Sequence, residues 1–190
     1  MEHPLLQTVR KPDDVLDLGP VGIDAVRALV GRLGDAAWDR LDAGKENDFF
    51  CFHDTKHIIF RFVHGNRDAR DVYDTPAWPI WRHVLQPLMD DVAARYGFVR
   101  PVFPKVMLAR LAAGQRIDRH TDGAGSNLQT HKIHVPLSTN PDVVFEVGEG
   151  TFRLAEGRAY EVNNLVPHAV RNGGETDRVH LIFEVCDAGG

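Results

Sequence analysis

Cysteine is scarce in this 190-residue chain: only Cys51 and Cys186 occur. They lie far apart and fit no metal-binding Cys-x-x-Cys pattern, so they offer neither a disulfide framework nor a thiolate zinc site, and two reduced, buried thiols are expected. No run of about 18 apolar residues occurs, and the opening Met1-Glu2-His3-Pro4-Leu5-Leu6 lacks the basic start and apolar stretch of a signal peptide. A cytoplasmic protein without a membrane partner is expected. Clustered basic charge is missing as well: 22 Lys+Arg stand against 27 Asp+Glu, a net charge of −5, which leaves no electrostatic footprint for nucleic acid. No repeat, low-complexity tract or Pro/Ser-rich linker divides the chain, so residues 1–190 are expected to form a single domain.

What is present fits a globular fold. The hydrophobic share of 43% and charged share of 26% are ordinary for folded domains, and a chain of this length buries roughly 70% of its unfolded surface. Ile23, Val26, Val30, Leu33 and Ala37, extended by Trp38 and Leu41, repeat at helical spacing after a polar lead-in, although Gly31 and Gly34 interrupt them. Residues 56–63 read as a strand that ends in the turn His64-Gly65-Asn66. Pro79 to Tyr96 reads as a second helix stopped by Gly97, with Pro87 implying a kink or two shorter helices. Beyond Gly97 the texture changes to short alternating strands between glycine-rich turns, the pattern of a sandwich or barrel. The first hundred residues thus form a helical and strand elaboration, and residues 101–187 a β-barrel-like core.

Ten histidines are the count that stands out. One residue separates His120 from Asp122, so in an extended segment an imidazole and a carboxylate share a face. Such a pair supplies two ligands of the two-histidine, one-carboxylate triad that leaves adjacent positions open on Fe(II). His168, in Val166-Pro167-His168-Ala169-Val170, offers a third. Ten positions on, Arg178 opens a strand whose apolar face is Val179, Leu181, Phe183 and Val185, leaving Arg178 and His180 on the other face. If that face looks into a ligand-holding barrel, the guanidinium can meet a carboxylate through two parallel hydrogen bonds. In residues 130–137, Ile133, Val135 and Leu137 take one side while Lys132 and His134 take the other, a cation and a donor suited to a chelating co-substrate. His131 falls on the apolar side. Two other readings stay open on these residues: a zinc hydrolase on the same triad, and a non-catalytic barrel that binds a small acidic ligand.

From Val106 to Asp187 the chain resembles the aspartyl/asparaginyl β-hydroxylase family of Fe(II)- and 2-oxoglutarate-dependent oxygenases, which is similar to bacterial proline hydroxylases. The resemblance is carried in order by Leu111-Ala112-Ala113-Gly114, His120-Thr121-Asp122, residues 132–137, Val162-Asn163-Asn164, His168 and Arg178. It implies an α+β, mainly β fold: a double-stranded β-helix (jelly-roll, cupin-like) core with flanking N-terminal helices. It further implies iron ligands at His120, Asp122 and His168, Arg178 on the distal carboxylate of 2-oxoglutarate, and Lys132 and His134 near its other carboxylate. Fe(II), 2-oxoglutarate and O2 would be consumed or held, with ascorbate as an in vitro helper, giving succinate and CO2. The implied substrate is an amino acid or an Asp/Asn-type residue in a peptide or protein; the oligomeric state is left open. The chain departs from the family in carrying Lys132 where arginine is common and Ala109 where the animal enzyme has a serine, while Asp122 is present where that enzyme lacks a carboxylate.

Three further expectations concern the surroundings. Arg110, Arg116 and Arg119 lie near the metal motif within reach of a substrate carboxylate, although a solvated strand edge is expected for at least two of them. Phe49-Phe50-Cys51-Phe52 can wall the site but is expected to pack in the core. Asn163 and Asn164 are expected to make a turn rather than support a ligand.

Overall fold

The computed structural model describes residues 8–43, 45, 49–123 and 125–189. The amino-terminal stretch read above for a leader, His3 within it, and Ala124 lie outside the described residues. In chain order the elements are β1 (Val15–Pro20), α1 (Asp24–Val30), α2 (Asp35–Asp42), β2 (Thr55–Val63), β3 (Val72–Asp74), α3 (Trp78–Ala93), β4 (Pro101–Val102), β5 (Val106–Leu111), β6 (Arg116–His120), β7 (His131–Ser138), β8 (Val143–Val147), β9 (Gly150–Phe152), β10 (Arg158–Val162), β11 (His168–Asn172) and β12 (Arg178–Asp187). The larger sheet has the order β1-β10-β7-β12-β5-β2-β3, with β4 paired to the end of β12; the smaller has the order β6-β11-β8-β9. Core strands β5 to β12 alternate between the two sheets, except that β8 and β9 form a hairpin within the smaller one; this is the double-stranded β-helix, or jelly roll.

Strand β12 organises the larger sheet because β7 and β5 flank it on either side. Its alternation runs as the sequence predicts. Val179, Leu181, Phe183 and Val185 join Val26, Trp38, Trp81, Leu85 and Met89 in one core, so the helices cover the outer face of the sheet. Arg178, His180 and Glu184 are buried too, and they occupy the opposite, barrel-facing side. A second cluster, including Leu111, Ile117, Phe145, Val162 and Val170, fills the space between the sheets.

Two helical expectations are corrected. The Ile23–Leu41 stripe is two helices, not one. Gly31 caps the first, and Gly34, extended at ψ 166°, starts the second, so two residues of low helix propensity become the corner between them. Residues 78–93 form one helix with Pro87 inside it, so of the two alternatives at Pro87 the pair of shorter helices is overturned. Pro87 removes one backbone donor, but Leu85, Leu88 and Met89 around it are anchored in the core, and that packing outweighs one lost bond. Residues 94–96 continue as a tight turn closed by Gly97 at φ 67°. The polar lead-in also contains a strand, β1, which pairs with β10 around a bulge between Asp17 and Gly19.

Because Leu181 is fully buried between the sheet and its helices, Leu181→Ala is expected to lower unfolding free energy by about 2–5 kcal/mol. Urea unfolding followed by tryptophan fluorescence measures this; a loss below about 1 kcal/mol would contradict the packing described.

Candidate metal and carboxylate site

The proposed ligands come together at one end of the smaller sheet. His120 closes β6, His168 opens β11, and the two are register partners, with ring centroids 4.2 Å apart. Asp122 follows two residues later, where its backbone N–H donates to the Asn164 carbonyl at 3.0 Å. One ligand atom from each of His120, Asp122 and His168 lies within 4.8 Å of the others. That spacing suits a single metal ion.

The surroundings fix which atoms face that point. His120 Nδ1–H donates to the Asp118 carbonyl (2.7 Å) and His168 Nδ1–H donates to the Val166 carbonyl (2.9 Å). A carbonyl accepts only, so each ring carries its proton on Nδ1 and leaves the Nε2 lone pair free, the usual support of a ligating histidine. On Asp122, Oδ2 receives Lys132 Nζ and Asn164 Nδ2 (3.0 Å), whereas Oδ1 faces His120 Nε2 at 3.6 Å. Burial opposes ionisation of Asp122, but the Lys132 charge, His168 and the two hydrogen bonds outweigh it, holding the carboxyl well below the usual range. Burial pushes His168 down to about 4. At neutral pH the trio therefore offers a neutral His168 imidazole and an ionised Asp122, with His120 Nε2 turned towards the same carboxylate.

A cavity of about 270 Å³ adjoins the trio, and its lining includes Arg178, His134, Lys132, Ala109, His57 and Lys105. Arg178 is only 1% exposed. Its Nη2 donates to His180 Nδ1 (2.8 Å) and its carbon lies 5.1 Å from the Phe145 ring centroid, but Nε and Nη1 have no partner. Among the described residues no carboxylate pairs with it. Burial alone draws its pKa down to about 9, so it stays cationic at neutral pH. Burial, reinforced by Arg178, keeps His134 and His180 well below their ordinary value and therefore neutral.

Several expectations change in detail. Lys132 is committed to Asp122, and His134 lies against His180, with Nδ1 to Nδ1 at 3.5 Å. Asn164 supports a proposed ligand, whereas Asn163 binds the carbonyls of Pro12 and Asp13. The core expectation for Phe49-Phe50-Cys51-Phe52 holds only for Phe52, which packs against the second cluster; Phe49 is 54% and Phe50 84% exposed, and Phe49, Cys51 and Phe52 line the cavity. Phe50–Phe52 forms a short 3-10 turn, which leaves Phe49 and Phe50 outside while Phe52 turns inward against His57 and His120. None of the three arginines reaches the cavity: Arg110 binds Asp177 and Asp35, Arg116 binds Asp118, and Arg119 binds the Gly148 carbonyl. Two buried groups escape sequence reasoning. Lys105 Nζ binds Asn127 and Glu184, each at 3.0 Å. His57 is 2% exposed and sits edge-on to Phe52, which in turn sits edge-on to His120. Alternation along β2 was the available signal for His57, since its neighbours Ile58 and Phe60 pack in the helix-side core.

Three buried histidines and the partly buried His168 predict acid sensitivity. His57 lies at about 3, His168 at about 4, and His134 and His180 well below 6.5. The unfolded chain takes up protons near pH 6.5 before the folded one does, so stability is retained above that pH and lost as pH falls from about 6.5 towards 4. Urea midpoints of the metal-free protein are expected to drop steeply across that window; a flat profile would contradict the burial of these rings.

A profile of the family described as aspartyl/asparaginyl β-hydroxylase matches residues 88–187, more than half of the chain and including every residue of the trio and Arg178. No curated protein sequence matches. Among solved structures, an oxidoreductase of the 2OG-Fe(II) oxygenase family from Burkholderia pseudomallei is similar at 16% identity, covering 94% of this chain and 93% of its own, with a TM-score of 0.54. A viral collagen prolyl hydroxylase from Paramecium bursaria Chlorella virus-1, in complex with 2OG, is similar at 9% identity, covering 92% and 96%, with a TM-score of 0.55. At these identities the likeness speaks for the jelly-roll fold alone. The family rests on the sequence match across the segment that builds the site: the chain belongs to the aspartyl/asparaginyl β-hydroxylase family.

Proposed function

We propose that this protein is an Fe(II)- and 2-oxoglutarate-dependent dioxygenase that hydroxylates an unactivated C–H bond of an amino acid, or of an Asp/Asn-type residue in a peptide or protein. The observation that carries this reading is Arg178, a buried guanidinium with two unpartnered nitrogens and no counter-charge among the described residues, on a cavity that also reaches the His120–Asp122–His168 trio. A buried charge without a partner is costly, and a dicarboxylate ligand removes that penalty on binding.

In this reading His120 Nε2, Asp122 Oδ1 and His168 Nε2 hold the metal. Bound iron supplies the oxygen chemistry, coupled to conversion of 2-oxoglutarate to succinate and CO2. Arg178 orients the co-substrate by its distal carboxylate, through a fork-shaped contact that a lysine would not reproduce. Lys132 and Asn164 keep Asp122 ionised and fixed through Oδ2, and the Asp118 and Val166 carbonyls fix the two imidazoles. Phe49 and Phe52 form the wall past which the substrate enters. A zinc hydrolase on the same trio leaves Arg178 without a role, and a binding barrel leaves the two carbonyl-locked histidines without one.

Metal-free protein supplied with Fe(II), 2-oxoglutarate and ascorbate is expected to release succinate slowly even without its substrate, and Zn(II) is expected to support none. His120→Ala is expected to abolish release, and Arg178→Leu to weaken 2-oxoglutarate binding on the order of 100-fold, the loss of a buried charge-paired contact. Screening free amino acids and then peptides for stimulated release addresses the substrate. Absence of succinate together with absence of anaerobic 2-oxoglutarate binding would overturn the proposal.

A further inference from the structure

We propose that His57, on a strand outside the family-matched segment, completes the carboxylate site by donating a ring N–H to the distal carboxylate that Arg178 holds. This inference rests on the 2-oxoglutarate reading above and adds to it a recognition residue. Register partners place His57 opposite Ala109 and Ala109 opposite His180. Directly opposed residues of antiparallel strands point to the same face, so the three form one row across the barrel side of the sheet. The Arg178–His180 hydrogen bond brings the guanidinium to that row.

Ala109 in the middle contributes only a methyl group. Two strand spacings separate the outer members, about 10 Å between Cα atoms, and the cavity is lined there by His57, Ala109 and Arg178. Unpartnered polar atoms belong to the groups around it: Arg178 Nε and Nη1, His180 Nε2 and His57 Nδ1. His180 Nδ1 accepts from the guanidinium, which leaves its proton on Nε2. His57 is neutral, because burial, followed by the nearby Lys45 charge, pushes it down to about 3; a neutral imidazole retains one N–H to donate. Among the described residues His57 Nδ1 has no hydrogen-bond partner, the buried Thr55 Oγ1 two residues before it on β2 being unpartnered as well. Asp42 accepts the His57 backbone N–H (2.6 Å) and pairs with Lys45 (2.8 Å), and Asp122 is held by Lys132. Phe52, edge-on to His57 with centroids 5.4 Å apart, packs against the ring. An anion on the free edge of Arg178 over Ala109 thus has His57 as its neighbour on the far side.

The test separates the distal carboxylate from the rest of the co-substrate. Anaerobic calorimetry on the full chain loaded with redox-inert Mn(II) compares 2-oxoglutarate with 2-oxovalerate, which keeps the oxo acid but ends in a methyl. His57→Phe is expected to raise the 2-oxoglutarate Kd about tenfold or more, the usual effect of losing a hydrogen bond to a charged group, and to leave 2-oxovalerate unchanged; His57→Gln is expected to recover part of the loss. Should His57→Phe fail to fold by near-UV circular dichroism, nitrogen NMR of the wild-type imidazole decides, with His57 expected to shift on adding 2-oxoglutarate and not on adding 2-oxovalerate. Unchanged 2-oxoglutarate affinity, equal weakening of both acids, or no NMR shift overturns the role of His57. If Arg178→Leu loses affinity while His57→Phe does not, only this inference falls; if the wild type binds no 2-oxoglutarate, the functional proposal falls with it.

Discussion

A strand buried on both faces must satisfy two environments at once, and β12 is that strand here. One face locks the helices onto the sheet through Leu181, Phe183 and their neighbours. The other places Arg178, His180 and Glu184 inside the barrel, where each polar group needs a partner. Glu184 finds Lys105 and Thr130, and His180 finds Arg178. Arg178 finds only half of what it needs. The packing that stabilises the fold therefore also holds a cation rigidly beside the cavity, with its free edge unoccupied by protein.

The smaller sheet contributes the complementary part. Register pairing of β6 with β11 sets His120 against His168, and backbone carbonyls two residues before each ring fix its proton. Asp122 is ionised because Lys132 and Asn164 reach one of its oxygens. Neither sheet alone makes a site: the trio lies on one and the guanidinium on the other, and the jelly roll brings them to a shared cavity.

Much of this was legible because it depends on period-two alternation and short spacing. Arg178 and His180 follow from the apolar positions between them, and His120 with Asp122 from a single intervening residue. What stayed hidden depends on partners distant in sequence. Lys132 reads equally well as a free cation or as the partner of Asp122, and only the fold decides. Asn164 has the composition of a turn, and its amide direction is set by the loop after β6. The two glycines that divide α1 from α2 were visible, but a periodic stripe continuing across them masked the corner. Pro87 left one helix or two open, and buried neighbours keep α3 whole. Phe49 to Phe52 have core composition, and the exposure of Phe49 and Phe50 reflects a tight turn that sequence periodicity does not register.

The central claim is that trio and guanidinium act on one ligand. Linkage makes that claim measurable, because two sites that share a ligand must each strengthen the other. The affinity of 2-oxoglutarate should be determined anaerobically with and without Mn(II). The account predicts binding at least about tenfold tighter with the metal present, and reciprocally tighter metal binding with 2-oxoglutarate present. Equal affinity in both states would contradict it, showing that the carboxylate site and the metal trio are independent.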